Sequence, residues 1–209
     1  YLEQSQALLA PQKLKVLTAD ILRLKNEDLV KQLEPEEGGY KVVANLPYHI
    51  TSPIIEKFLT FAPKPKLMVV LVQKEVALRL CASLQAKTAE SKMSILSVAT
   101  QFYSSPHLVS VVTADSFWPS PKVDSALVKL RVKSALPAIE EKLFFRLVKI
   151  GFAARRKQLH NNLSSGLKIS QSEAKQSLLA TGLEENIRPE RLAVQDWLKL
   201  ANILQKFIK

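Results

Sequence analysis

Between Leu14 and Val132, short runs of β-branched and aliphatic residues alternate with segments whose apolar positions recur every three or four residues. That switching between two side-chain periods restricts this part of the chain to βαβ units on a mostly parallel sheet. Leu14–Thr18 reads as a strand ending at Asp20, and Lys41–Asn45 as the next. Leu67–Val72 is apolar throughout, as in a central strand covered on both faces. Leu108–Thr113 and Val123–Val132 read as the last two strands, and the alternation of Val123, Ser125, Leu127 and Lys129 makes the second edge-side or antiparallel. Helices are predicted over Ser52–Phe61, from Lys74 to about Leu84, and over Met93–Phe102. In the first, Thr51 or Ser52 caps the start, Pro53 occupies the first turn, and Ile54, Ile55, Phe58 and Leu59 face inward. Gln85–Ser91 is polar enough for a mobile loop, and Phe117-Trp118-Pro119-Ser120-Pro121 holds too many prolines to pair, so it forms an exposed loop.

Pro137 marks a boundary. Beyond it every pattern is helical, with apolar residues at helical spacing over Glu140–Ala154, Ser170–Ala180 and Val194–Lys209. A chain of 209 residues, 47% of them hydrophobic, buries enough for one large domain, or one with a small second domain. No apolar stretch approaches the ~20 residues of a membrane span, and the opening carries no signal-peptide pattern. The single cysteine, Cys81, falls in a helical pattern where it packs as a small apolar residue. These features read as a cytoplasmic, monomeric protein with no membrane contact. The net charge of +11 points to a polyanionic partner rather than an acidic small molecule. Residues 138–209 carry thirteen Lys/Arg against seven Asp/Glu, and residues 1–137 seventeen against twelve, so the C-terminal third is the more basic per residue.

Chemistry concentrates at Asn45-Leu46-Pro47-Tyr48, where the run Val42-Val43 ends just before a helix start. Alkylating a planar exocyclic amine such as adenine N6 requires acceptors that hold both amino hydrogens while the nitrogen becomes tetrahedral. An Asn side-chain carbonyl and a backbone carbonyl beside a proline supply two, and Tyr48 offers a ring face on which a base stacks. The same four residues are also compatible with ordinary turn chemistry, because Asn caps and Pro fixes φ. Asp20 and Asn45 end two successive predicted strands, and in open parallel sheets ligands bind beyond such ends. Asp20 equally suits an Asx turn or a helix N-cap. Arg155-Arg156-Lys157 with Gln158, His160, Asn161 and Asn162 form the densest cationic and amide cluster, read either as a solvated face or as a phosphate contact. His49, His107 and His160 form no metal-ligand spacing and read as surface or internally bonded residues.

Three blocks in order, Val42 to Phe58 (VVANLPYHITSPIIEKF), Phe117 to Leu130 (FWPSPKVDSALVKL) and Gly151 to Leu163 (GFAARRKQLHNNL), resemble the small-subunit ribosomal RNA adenine dimethyltransferase family. The resemblance implies an α/β fold: a Rossmann-like methyltransferase sheet, partial in residues 1–137, then a small all-helical rRNA-binding domain in residues 138–209. It implies S-adenosylmethionine as cofactor and, as substrate, two adjacent adenines near the 3′ end of 16S rRNA in a 30S precursor during ribosome biogenesis. Asp20, with Ile21, matches the acid that meets the cofactor's adenine amine, and Asn45 the residue that meets its methionine end and the target amine. Leu46, Pro47 and Tyr48 complete the catalytic element, and Tyr48 and Phe117 would hold the two faces of an extruded base. A hydrophobic anchor is the other reading of Phe117, and Trp118, where many relatives have a small residue, is read as packing. Lys122 and the Arg155, Arg156, Lys157 cluster are the implied RNA contacts.

A first residue of tyrosine and a mid-helix opening (YLEQSQALLA) predict that a segment precedes Tyr1, holding the family's glycine loop after its first strand and an acidic residue after its second. The sequence departs from the family's Tyr-Gly pair at Met93-Ser94, which blurs that helix start. Two other readings share the fold: a large-subunit rRNA adenine methylase of the erythromycin-resistance type, and a non-catalytic assembly or transcription factor. The block Gly151–Leu163 and the element Arg188-Pro189-Glu190-Arg191-Leu192 fit the small-subunit group better.

Overall fold

Four strands form one sheet in the order β1-β2-β4-β3: β1 Lys41–Asn45, β2 Leu67–Gln73, β3 Ser104–Val112 and β4 Ser125–Val132. The structure is a computed structural model and describes residues 15–33, 39–82, 92–154 and 156–208. β1 runs parallel to β2, with Val43 opposite Val69 and Asn45 opposite Leu71. β4 is antiparallel to both neighbours, pairing Val128 with Val70 on one side and with Leu108 on the other. It is therefore an interior strand, and β3 holds the edge; of the two sequence readings, antiparallel is correct and edge-side is not.

Lys15–Thr18, predicted as strand, has no sheet partner among the described residues and lies exposed. An extended run becomes a strand only when another backbone satisfies its N–H and C=O groups. Asp20 accordingly ends no strand. The predicted loop Gln85–Ser91 lies outside the described residues.

The two interior strands bury one face of the sheet fully. Met68, Val70 and Val72 of β2 and Ala126, Val128 and Leu130 of β4 are inaccessible, whereas Leu67, Val69 and Leu71 are half-buried. The apolar run of β2 thus overstated its burial among the described residues, because the two faces of a pleated strand are covered independently. The covered face packs on α2, Thr51–Thr60, through Ile54, Ile55, Phe58 and Leu59, and on α4, Ile95–Tyr103, through Val98 and Phe102. α2 follows directly from a 3₁₀ turn at Tyr48–Ile50, so neither Thr51 nor Ser52 caps it. Instead the Thr51 hydroxyl donates to the Pro47 carbonyl at 3.2 Å, inside the first helical turn.

α1, Asn26–Leu33, closes against the far end of α2, where the buried Asn26 amide donates to the Phe61 carbonyl at 2.9 Å. This satisfies a carbonyl left over by the helix end. α3, Lys74–Leu80, leads to Cys81, whose thiol burial pushes up to about 11, so that it is protonated at neutral pH. Ser94 starts α4 with a reciprocal capping box to Ser97, a clear helix start at the position where the sequence departs from the family it resembles.

Four helices follow Pro137: α5 Glu141–Gly151, α6 Leu159–Leu167, α7 Gln171–Ala180 and α8 Val194–Leu204. α5 docks on α4 through stacked Phe102 and Phe144, 4.6 Å between centroids, and through the Tyr103 hydroxyl, which donates to Glu141 at 2.7 Å. At the end of α5, Gly151 is required by close approach: a Cβ there would lie 2.3 Å from the Trp197 ring of α8. The turn Pro189–Arg191 ties this region to α4, because the Met93 amide donates to the Glu190 carbonyl at 3.0 Å. No helix among the described residues is long and apolar enough to cross a membrane.

Candidate active site

Strand alternation decides which residues of the β1 end reach solvent. Val42 and Ala44 pack against the core, so Val43 and Asn45 project from the opposite face; Val43 is 79% exposed, and Asn45 is exposed beside it. Leu46 points back into the core, and its amide continues the ladder to the Leu71 carbonyl at 3.1 Å. The Pro47 carbonyl is engaged by Ile50 N–H and the Thr51 hydroxyl. Among the described residues no backbone donor takes the Leu46 carbonyl, and no hydrogen bond takes the Asn45 side chain. The strand end therefore presents two adjacent free acceptors on a fixed backbone.

These acceptors open onto a cleft of about 340 Å³ whose other wall is the proline-rich loop, with Tyr48, Phe117, Trp118 and Pro119 among its lining. Tyr48 is held by a 2.8 Å hydrogen bond between its hydroxyl and that of Ser125 at the start of β4. The loop is braced through Asp124: one carboxylate oxygen accepts from the Ala114 amide at 3.2 Å, the other from Lys74 Nζ at 3.2 Å. Ser120 adds a bond to the Ala114 carbonyl at 2.9 Å. Phe117 is half-buried, consistent with either of its sequence readings. Trp118 is not packing as the sequence suggested; it is 98% exposed. Phe117 is extended, φ −120° and ψ 150°, so successive side chains diverge: one ring goes inward and the next goes out.

The other candidate residues lie elsewhere. Asp20 sits in an exposed turn, accepting from Leu22 N–H at 2.9 Å and pairing with Arg23 at 3.3 Å, which is the Asx-turn reading of that residue. Neither Asp20 nor the half-buried Ile21 lines the cleft of Asn45. Lys122 is exposed on an adjoining groove beside Lys74 and Asp124.

The basic cluster divides by function. Arg155 lies outside the described residues, while Arg156 and Lys157 are exposed. His160 and Asn162 are buried: His160 Nδ1 bonds the Glu185 carbonyl at 2.9 Å, and the Asn162 amide donates to the carbonyls of Gly151, at 2.6 Å, and Ala154, at 3.2 Å. Asn162 thus fastens the turn that displays Arg156 and Lys157, while Asn161 and Gln158 remain partly open to solvent.

Two further features escaped sequence reading. Ser125, the anchor of Tyr48, entered the sequence reading only as a strand position and as part of the block Phe117–Leu130. A groove of about 510 Å³ at the opposite end of the sheet gathers Lys64, Lys66, Lys129, Arg131 and Lys133 with no carboxylate in its lining. Such a set attracts polyanions. Its sequence signal was the period-two spacing of Lys129, Arg131 and Lys133. A larger groove of about 660 Å³ near Ser52 is different, since its Arg79 pairs with Glu75 and its Lys92 with Glu190, leaving no net charge. Among the described residues no three His, Cys, Asp or Glu side chains gather as metal ligands.

Comparison with known proteins identifies the family. The ribosomal RNA small subunit methyltransferase A of Dehalococcoides mccartyi is 40% identical over 188 residues, 89% of this chain and 61% of that protein. The protein of the same name from Alkaliphilus oremlandii is 38% identical over 195 residues, 92% of this chain and 66% of its own. The chain thus spans about three-fifths of the length of these relatives. A crystal structure of a dimethyladenosine transferase from Plasmodium falciparum superposes with a TM-score of 0.76, covering 99% of this chain and 78% of that one at 24% identity. That of the 23S rRNA methyltransferase ErmE gives 0.71, covering 98% and 76% at 23% identity, and both establish the Rossmann-like methyltransferase fold. The family model described as ribosomal RNA adenine dimethylase matches residues 2–206, and the chain belongs to that family.

Proposed function

We propose that this protein transfers methyl groups from S-adenosylmethionine to N6 of two adjacent adenines near the 3′ end of small-subunit rRNA, acting on a 30S precursor in the cytoplasm as a monomer. The observation that carries the reading is a pair of acceptors that no described residue engages, the Asn45 side chain and the Leu46 carbonyl, beside the anchored ring of Tyr48. The amino hydrogens of an extruded adenine match two such acceptors, and the nitrogen is then held with its lone pair directed out of the ring plane. Tyr48 and Phe117 take the faces of the base. When bound, S-adenosylmethionine would supply an electrophilic methyl whose bond to sulfur breaks as the bond to N6 forms, leaving a neutral thioether that needs no general acid, and N6 would give up its proton to solvent after attack. Positioning is the main catalytic contribution, and well-oriented reactants gain ~7–11 kcal/mol from it.

The donor set fits the methionine end of that cofactor at Asn45. Asp20, turned to Arg23, reaches the cofactor's adenine amine only by releasing that pair, an exposed one of the kind worth ~0–1 kcal/mol. Residues 138–209 act as the rRNA-binding domain, with Arg155, Arg156 and Lys157 meeting phosphate and Lys122 adding a contact near the cleft. Reversing Arg156 and Lys157 to Glu is expected to weaken binding to small-subunit rRNA and flatten log Kd against log salt by about 1.5, from roughly 0.7–0.9 per lost phosphate contact. An unchanged slope in filter binding would remove these cations from the footprint.

The reading is tested by incubating the protein with under-methylated small subunits, and separately with large-subunit RNA, in the presence of labelled S-adenosylmethionine, then digesting the RNA. N6,N6-dimethyladenosine in 16S rRNA is expected. Label confined to large-subunit RNA would move the substrate to the erythromycin-resistance class, and RNA binding without label would make the protein a binding factor.

A further inference from the structure

Trp118 stands on the rim of the cleft that holds Asn45, Tyr48 and Phe117, with 98% of its surface in water. A tryptophan displayed at the rim of a cleft that takes a base offers a stacking face for a further base. The loop beneath it is stiff: Pro119 and Pro121 restrict the backbone, and Asp124 and Ser120 pin it to Ala114. The indole is therefore displayed in advance, and little loop ordering is lost when something stacks on it. The cleft itself, about 340 Å³, lies at the small end of ligand pockets and suits one base. A strand delivering that base must route its neighbour past the rim. Among the residues lining the cleft none is a carboxylate, so nothing there repels the connecting phosphate.

We propose that Trp118 stacks on the unpaired base next to the target adenine, so that the site grips a dinucleotide step instead of a single extruded base. This deepens the function proposed above and rests on it. Aromatic side chains hold single-stranded bases in this sequence-tolerant way. Trp118 is a positioning residue here, since it touches the neighbouring nucleotide and not the reacting atoms.

The chain has two tryptophans, and the other, Trp197, is fully buried, so acrylamide-accessible emission reports Trp118. The intact protein is titrated with an unpaired RNA carrying two adjacent adenines, and with the same RNA made abasic beside the target. Quenching and acrylamide protection of Trp118 are expected with the first RNA and absent with the second. Trp118→Ala should weaken binding about tenfold, or ~1.4 kcal/mol, raising KM with little change in kcat, while Trp118→Phe stays within about threefold. An indole still accessible in the saturated complex, or shielded only by a protein component of the subunit, overturns the inference. Methyl incorporation measured on the same samples separates the two claims: incorporation with an accessible Trp118 defeats the stacking alone, and protection without incorporation into any rRNA defeats the catalytic reading while supporting the stacking.

Discussion

Asn45→Ala is expected to lower the single-turnover rate of methyl transfer about a hundredfold or more, the usual loss when one preorganised hydrogen-bonding group is removed from a reacting centre. It should leave the unfolding midpoint nearly unchanged. The separation follows from the side chain's position: Asn45 projects from the sheet face opposite the core and bonds to no described residue. Surface substitutions of that kind usually stay within about 0.5 kcal/mol. Leu46 is the control, because it is 5% exposed and sits in the same tetrad. Truncating it disturbs packing and activity together, whereas Asn45 isolates the chemistry. Single-turnover kinetics and a thermal melt on the two variants check the contrast. Near-normal transfer by Asn45→Ala would refute the assignment of that amide to the target amine.

Trp197→Ala should cost about 3–5 kcal/mol, the range for emptying a large buried aromatic site. For a chain of this size that is a fall of roughly 10 °C in the unfolding midpoint by circular dichroism. Trp197 is fully buried in α8, stacks on Phe152 at 5.6 Å, and fills the space that Gly151 leaves open. Gly151→Ala attacks the same contact by overpacking and should cost about 1–3 kcal/mol. Both changes act beside the Arg156–Lys157 turn, which Asn162 fastens to the carbonyls of Gly151 and Ala154. RNA affinity should therefore fall along with stability in these variants, although neither residue touches solvent. A loss under about 1 kcal/mol for Trp197→Ala would mean that α5 and α8 are not packed as described.

Much of the fold was legible because side-chain periodicity is a local property. The strands at Lys41 and Leu67 and the helices at Thr51, Ile95, Glu141, Gln171 and Val194 begin within two residues of expectation. The failures share a cause: each depended on what lay across space. Lys15–Thr18 has strand composition without a partner strand among the described residues. β4 has the alternation of a half-exposed strand yet lies between two others. α6 begins inside a block recognised by resemblance and has only a modest apolar stripe; its buried His160 takes the internally bonded one of its two readings, while Asn162, read with the basic cluster as solvated or phosphate-facing, turned out to bond buried carbonyls.

Sequence alone determined the chemistry on offer: an Asn-Leu-Pro-Tyr strand end, a proline-stiffened aromatic loop and an excess of positive charge. It also carried the family's three blocks, since backbone chemistry and residue identity are written in the chain itself. Only the tertiary structure decided which of those groups face one another. The Tyr48 hydroxyl meets Ser125 77 residues away, and Asp124 holds the loop against Lys74. Trp118 stays in water while its neighbour Phe117 turns inward. Such pairings depend on sheet order and strand register, which are set by burial summed over the whole core and by no single segment.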